Sequence, residues 1–196
     1  MRLFAAVLPP DSATAELAAA VSALKELPGA DGLRWTGRDG WHLTLAFMAE
    51  ADAAAAADLA GRLERAAHAT APFPLALRGG GRFGDRALWA GATGDVPALR
   101  RLASRADAAA REAGITMEDH RAYRPHLTVA RGRGERDLGP YAEALDGFAG
   151  TAWTVRELTL VRSDLPRDGV PGARPRYEAV GRWVLGGGVR GPGAAG

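Results

Sequence analysis

An α+β fold with mainly antiparallel sheets, arranged as two comparable lobes, is the architecture this sequence predicts. Three observations lead there. Strand-like and helix-like runs are mixed without the strict alternation that builds a parallel sheet. The tripeptide His-Leu-Thr occurs twice, at residues 42–44 and 126–128, each time followed by an aliphatic residue, Leu45 or Val129. Each copy is accompanied by a helix, and the 84 positions between His42 and His126 exceed the period of the common short solenoid repeats. A duplicated lobe fits this better than a repeat array.

The elements follow in chain order. Residues 3–8 read as a short buried strand, and Asp11 or Ser12 is placed to cap a helix whose stripe of Leu17, Val21 and Leu24 runs toward Pro28-Gly29. After a loop rich in glycine and charge (29–40), residues 41–48 form the first motif strand, and 52–69 an alanine-rich helix with Leu59 and Leu63 on one side. Residues 73–77 alternate as a strand, Gly79-Gly80-Gly81 breaks it, and 87–92 forms its antiparallel partner. Thr93 or Asp95 introduces a helix through Glu112, with Leu99, Leu102 and Ala106 at helical spacing and Gly114 as its stop. Residues 123–131 form the second motif strand, interrupted only by Pro125, and 141–145 a short helix. Strands at 153–161 and 177–185 close the fold, and 186–196 has the composition of a flexible glycine-rich tail.

Composition narrows the chemistry. The 196 residues suit one domain and include no cysteine, which excludes disulfides, thiolate metal sites and a cysteine nucleophile and fits a reducing cytoplasm. The apolar run before Pro9-Pro10 is too short for a signal peptide or a membrane span. The expectation is therefore a soluble cytoplasmic protein with no membrane association. Net charge is only +2, yet the pI is about 9.5 because Lys25 is the only lysine among many arginines. Arginine suits phosphate and stacks on bases, but coding bias explains the same composition.

In an extended strand His42 and Thr44 share one face while Leu43 and Leu45 anchor the other, and the second motif repeats that layout. Two imidazoles facing one cleft supply a general acid and a general base near neutral pH. Acting on a five-membered cyclic phosphate, one takes a proton from water in line with the leaving oxygen, and the other protonates that oxygen. The hydroxyls of Thr44 and Thr128 are placed to donate to the non-bridging oxygens, although β-branching alone accounts for a strand threonine. A metal site built from His126, His120, Asp119 and His42 is the competing chemistry. The six-residue gap between His120 and His126, across Tyr123 and Pro125, matches neither a helical pair nor the short turns of zinc sites. No metal and no cofactor are expected. Gly79 to Gly84 lacks the strand–loop–helix setting of a dinucleotide site.

Beyond the tripeptides, Arg2-Leu3-Phe4-Ala5-Ala6-Val7, Trp41-His42-Leu43-Thr44-Leu45-Ala46-Phe47, Arg124-Pro125-His126-Leu127-Thr128-Val129-Ala130-Arg131, Leu158-Thr159-Leu160-Val161-Arg162-Ser163 and Arg176-Tyr177-Glu178 resemble, in order, the two-histidine phosphoesterases. Within them the chain is similar to the bacterial RNA 2',3'-cyclic phosphodiesterases, long called 2'-5' RNA ligases. The resemblance implies one bilobal, pseudo-symmetric domain over residues 1–185, with two mainly antiparallel sheets facing a central cleft, helices packed outside and one His-x-Thr motif per lobe. It implies metal-independent hydrolysis of 2',3'-cyclic phosphate ends of RNA, or of cyclic nucleotides, to 2'-phosphates, with reversible 2'-5' joining; the alternatives are a non-catalytic RNA-binding module and a related phosphoesterase for another small cyclic phosphate, and a monomer is expected. It implies His42 as proton donor, His126 as proton acceptor, and Thr44 and Thr128 as phosphate-holding residues. Phe47 and Arg131, each five residues after a motif histidine, are candidates to bind the nucleobase. In a regular strand that odd offset puts them on the opposite face, where Phe47 would be core. Met48-Ala49-Glu50 departs from the commoner pattern of leucine and glycine.

Overall fold

The computed structural model describes residues 1–118, 122–165 and 175–187. β1 (Leu3–Val7) is buried along its whole length because it lies inside a sheet. β3 (Leu43–Met48) flanks it on one side and β8 (Glu157–Asp164) on the other, and β9 (Arg176–Val184) completes the order β3-β1-β8-β9. A second, five-stranded sheet has the order β2-β6-β5-β4-β7, from β2 (Arg34–Trp35), β6 (Leu127–Arg131), β5 (Ala87–Gly94), β4 (Phe73–Phe83) and β7 (Trp153–Val155). Every strand pair is antiparallel, and each sheet holds one motif strand. The fold is the α+β arrangement of two lobes that the sequence predicts.

The helices cover the outer faces. α1 (Asp11–Leu24) and α4 (Gly139–Asp146) pack on the five-stranded sheet, α2 (Ala53–His68) and α3 (Val96–Glu112) on the four-stranded one. Helical spacing explains which sides face in: Leu17, Val21 and Leu24 of α1, Leu59 and Leu63 of α2, and Leu99, Leu102 and Ala106 of α3 are all buried in one core shared by both lobes. Each fully buried leucine contributes about 1.5–3 kcal/mol of transfer free energy. Asp52 and Asp95 cap α2 and α3, accepting from the N–H groups of Ala55 at 2.8 Å and Ala98 at 3.0 Å. Gly114 stops α3 with a φ of 78°, as expected of a glycine past a helix end.

Several boundaries differ from the sequence expectation, each for a physical reason. α1 begins at Asp11 itself, with Pro10 at the cap position and no side-chain cap. β2 lies within what reads as a loop, because its two residues pair with Arg131 and Ala130 of β6. The second motif strand starts only at Leu127, so Tyr123 and Pro125 precede it. The run 153–161 is two strands, β7 and β8, that belong to different sheets.

The triple glycine does not interrupt β4. Gly79, at a φ of 68°, marks a register shift in the β4–β5 ladder. A Cβ on Gly80 would meet Leu145 of α4 at 2.6 Å, and one on Gly81 would run into the Trp89 indole. The three glycines thus provide a bulge, a seat for a helix and a seat for an aromatic ring. At the C-terminal end Leu185 is buried and the Gly186 N–H donates to the Ala67 carbonyl at 3.1 Å, so the chain is still packed at residue 186. Asp119, His120 and residues 188–196, which include most of the expected tail, lie outside the described residues.

Candidate active site

His42 and His126 each occupy the residue just before their motif strand, β3 in one sheet and β6 in the other. Leu43 and Leu127 behind them are fully buried, which fixes the strands on the core. The two strands show the same succession from their first residue: buried, half-buried, buried, buried, exposed. Two consecutive buried residues break the alternation of a regular strand.

The cause is a pair of matched β-bulges. In the β1–β3 ladder Ala5 faces Ala46 and Ala6 faces Thr44, so Leu45 is the extra residue. In the β5–β6 ladder Leu88 faces Ala130 and Trp89 faces Thr128, so Val129 is extra. One inserted residue reverses the facing of everything after it. Phe47 and Arg131 therefore come round to the face of His42-Thr44 and His126-Thr128. The reading of Phe47 as core fails on this point, since Phe47 is 40% exposed. Arg2 covers one side of its ring, with the guanidinium 5.0 Å from the ring centre.

Each imidazole sits in an aromatic nest that sequence reasoning did not identify. His42 stacks on Phe4 at 4.4 Å between ring centres and meets the edge of Tyr177 at 5.6 Å. His126 meets Phe83 edge-on at 4.8 Å and Trp89 at 6.2 Å. Phe4 and Tyr177 lie within segments that carry the family resemblance, which was the available signal for the first nest; nothing local marks Phe83 and Trp89. Trp89 reaches His126 only because Gly81 leaves its indole room.

Burial pushes the His42 pKa down to about 4; a hydrogen bond to the Gly40 backbone opposes this, and the charges of His126 and Arg131 add to it. Burial also lowers the His126 pKa, against a bond to the Arg124 backbone and with help from Arg131 and Arg124. Arg131 thus acts electrostatically on both imidazoles. The His126 Nδ1 lies 2.7 Å from the Arg124 carbonyl oxygen. A carbonyl only accepts, so in the neutral ring Nδ1 carries the proton and Nε2 is left as the basic nitrogen.

Thr44 and Thr128 are half-buried beside their histidines, and among the described residues neither hydroxyl bonds to the protein. The two motif strands thus present two imidazoles, two hydroxyls and one arginine, and His126 and Arg131 both act electrostatically on His42. Such a set can move two protons around an anion it holds. Among the described residues no three His, Asp or Glu side chains cluster as metal ligands, and no helix is long and apolar enough to cross a membrane.

Comparison with known proteins bears on the family and the fold. The family model of the 2'-5' RNA ligase superfamily matches residues 9–167. An RNA 2',3'-cyclic phosphodiesterase of Geobacillus stearothermophilus is 31% identical over 156 residues, 77% of this chain and 47% of that protein. The chain spans about half the length of the curated relatives it matches. Among solved structures, E. coli LigT complexed with 3'-AMP aligns with a TM-score of 0.76 at 28% identity, covering 94% of this chain and 97% of that one. A Thermus thermophilus protein aligns at 0.75 and 29% identity, covering 95% and 99%.

Proposed function

The chain belongs to the 2'-5' RNA ligase superfamily, and from that membership we propose that it hydrolyses 2',3'-cyclic phosphates of RNA ends or nucleotides to 2'-phosphates. The observation that carries the reading is the matched register of the two motif strands, which supports a common role for His42, Thr44, His126, Thr128 and Arg131. The 3'-AMP held by E. coli LigT supports a nucleotide as the occupant. As a partner class, RNA ends suit a cleft with an exposed aromatic ring at Phe47 and an arginine at 131.

In the proposed mechanism a water molecule lies in line with the bond between phosphorus and the 3' oxygen. Nε2 of His126 takes its proton as the new bond to phosphorus forms. The Thr44 and Thr128 hydroxyls donate to the non-bridging oxygens, where negative charge builds, and Arg131 stabilises it electrostatically. The bond to the 3' oxygen breaks and His42 protonates that oxygen, leaving a 3'-hydroxyl and a 2'-phosphate. His126 ends protonated and His42 neutral, and exchange with solvent resets both. Attack by the 5'-hydroxyl of a second strand in place of water gives a 2'-5' linkage by the same path. The depressed pKa of His42 has a consequence for this assignment: the acid must gain its proton with substrate, whose phosphate charge favours imidazolium. No step requires a metal.

The test is hydrolysis of a 2',3'-cyclic nucleotide in excess chelator by the wild type and by His42→Ala and His126→Ala. Loss of activity in both variants, with the wild type unaffected by chelator, supports the proposal. Full activity in either variant contradicts it.

A further inference from the structure

A cavity of about 410 Å³ opens where β2 meets β6 and the loop after it. Arg34, Arg131, Arg133 and Arg136 line it, together with Asp31 and Glu135. Five arginines elsewhere, Arg62, Arg82, Arg111, Arg162 and Arg182, each pair with a carboxylate. Among the described residues none of the four cavity arginines forms an ion pair or a side-chain hydrogen bond, although two carboxylates line the same space. Four cations against two anions leave an excess of positive charge.

The strand register sharpens the point. Arg34 and Arg131 are direct partners in the β2–β6 ladder, and like charges directly opposite each other on a sheet are destabilising. No carboxylate relieves this pairing, so an anion bound across the exposed guanidinium groups would offset it. Arg131 also lowers the pKa of both motif histidines, so the cavity shares a wall with the reaction centre. Its size falls in the range of ligand pockets, and guanidinium forks suit phosphate oxygens.

We propose that this cavity is a second phosphate subsite, which holds an internal phosphodiester of the strand whose cyclic end occupies the cleft. The proposal rests on the cyclic-phosphate reading above and names its substrate class. A cyclic phosphate occupies the 3' terminus, so any further phosphate of the same strand lies on its 5' side. The subsite therefore selects an oligonucleotide over a mononucleotide.

The experiment compares a 2',3'-cyclic mononucleotide with a tetranucleotide ending in the same cyclic nucleotide, in the wild type and in the double variant Arg34→Gln, Arg133→Gln. The variant is expected to lose about tenfold or more in kcat/KM on the tetranucleotide and to stay within about twofold on the mononucleotide. The salt dependence of tetranucleotide binding should shallow by about 0.7 for each phosphate that the variant no longer neutralises. Arg133→Lys, which keeps the charge, should retain most of the activity and guards against a folding artefact. Equal losses on both substrates, or none on either, overturn the subsite. If the wild type cleaves neither substrate, binding of a 2'-phosphorylated tetranucleotide decides. A salt slope that shallows in the double variant then rejects the phosphodiesterase and keeps the subsite, and an unchanged slope rejects the subsite.

Discussion

Lowering the pH from 7 to 4 should destabilise this protein, and His42 should account for much of the loss. In the folded chain its pKa is about 4, against an ordinary value of 6.5. A group whose pKa falls on folding binds fewer protons when folded, so the unfolded state gains as pH drops through 6.5 toward 4. A difference of roughly 2.5 pH units, at 1.36 kcal/mol each, bounds the effect near 3 kcal/mol. His42 is only half-buried by surface area, so solvent screening makes the expected loss smaller, about 1–3 kcal/mol. Urea unfolding at several pH values for the wild type and His42→Gln, which cannot titrate, measures it. The wild type should lose that much more stability than the variant between pH 7 and 4. Parallel curves would refute the argument that burial on Phe4 holds His42 neutral.

Other consequences follow from the same geometry. Because both histidines are depressed below 6.5, kcat/KM should be highest below that pH and fall about tenfold per pH unit above it, whereas kcat, which reports the phosphate-bound enzyme, should peak at higher pH. A pH–rate series with separate kcat and KM measures both limbs. Thr44→Val with Thr128→Val keeps the β-branched shape and removes both donors; kcat should fall by about 10²-fold or more with little change in fold. Gly81→Ala forces the Trp89 indole off its seat, so tryptophan emission should shift and stability drop by about 1–3 kcal/mol. Leu127→Ala removes the buried anchor behind His126 and should cost about 2–5 kcal/mol in denaturant unfolding.

Much of this molecule is legible in its sequence where local chemistry decides the outcome. Asp52 and Asp95 announce their helices because a cap bridges only three residues. The stripe of Leu17, Val21 and Leu24 marks the inner side of α1, and the two motifs mark the strands that carry the imidazoles. Features made by distant partners stay hidden. Gly79-Gly80-Gly81 reads as a break because Leu145 and Trp89, which give two of the glycines their purpose, are remote or lie on the partner strand. β2 exists only through its pairing with β6. The change of sheet at Arg156 leaves only a faint mark, the successive polar residues Arg156 and Glu157 that shift the apolar alternation from Trp153 and Val155 to Leu158 and Leu160. The bulges at Leu45 and Val129 are invisible one at a time. Only the recurrence of an aromatic and an arginine at the same odd offset hints at them, and that offset makes sense only with the bulges in place.

The central claim is that two histidines in matched lobes transfer protons across a cyclic phosphate so that its bond to the 3' oxygen breaks. Phosphorus NMR of the product from a 2',3'-cyclic dinucleotide, in excess chelator, tests it most directly. A single 2'-phosphate product, absent with His42→Ala and with His126→Ala, is the predicted result. A 3'-phosphate, a mixture of the two, or undiminished turnover without either histidine would contradict it.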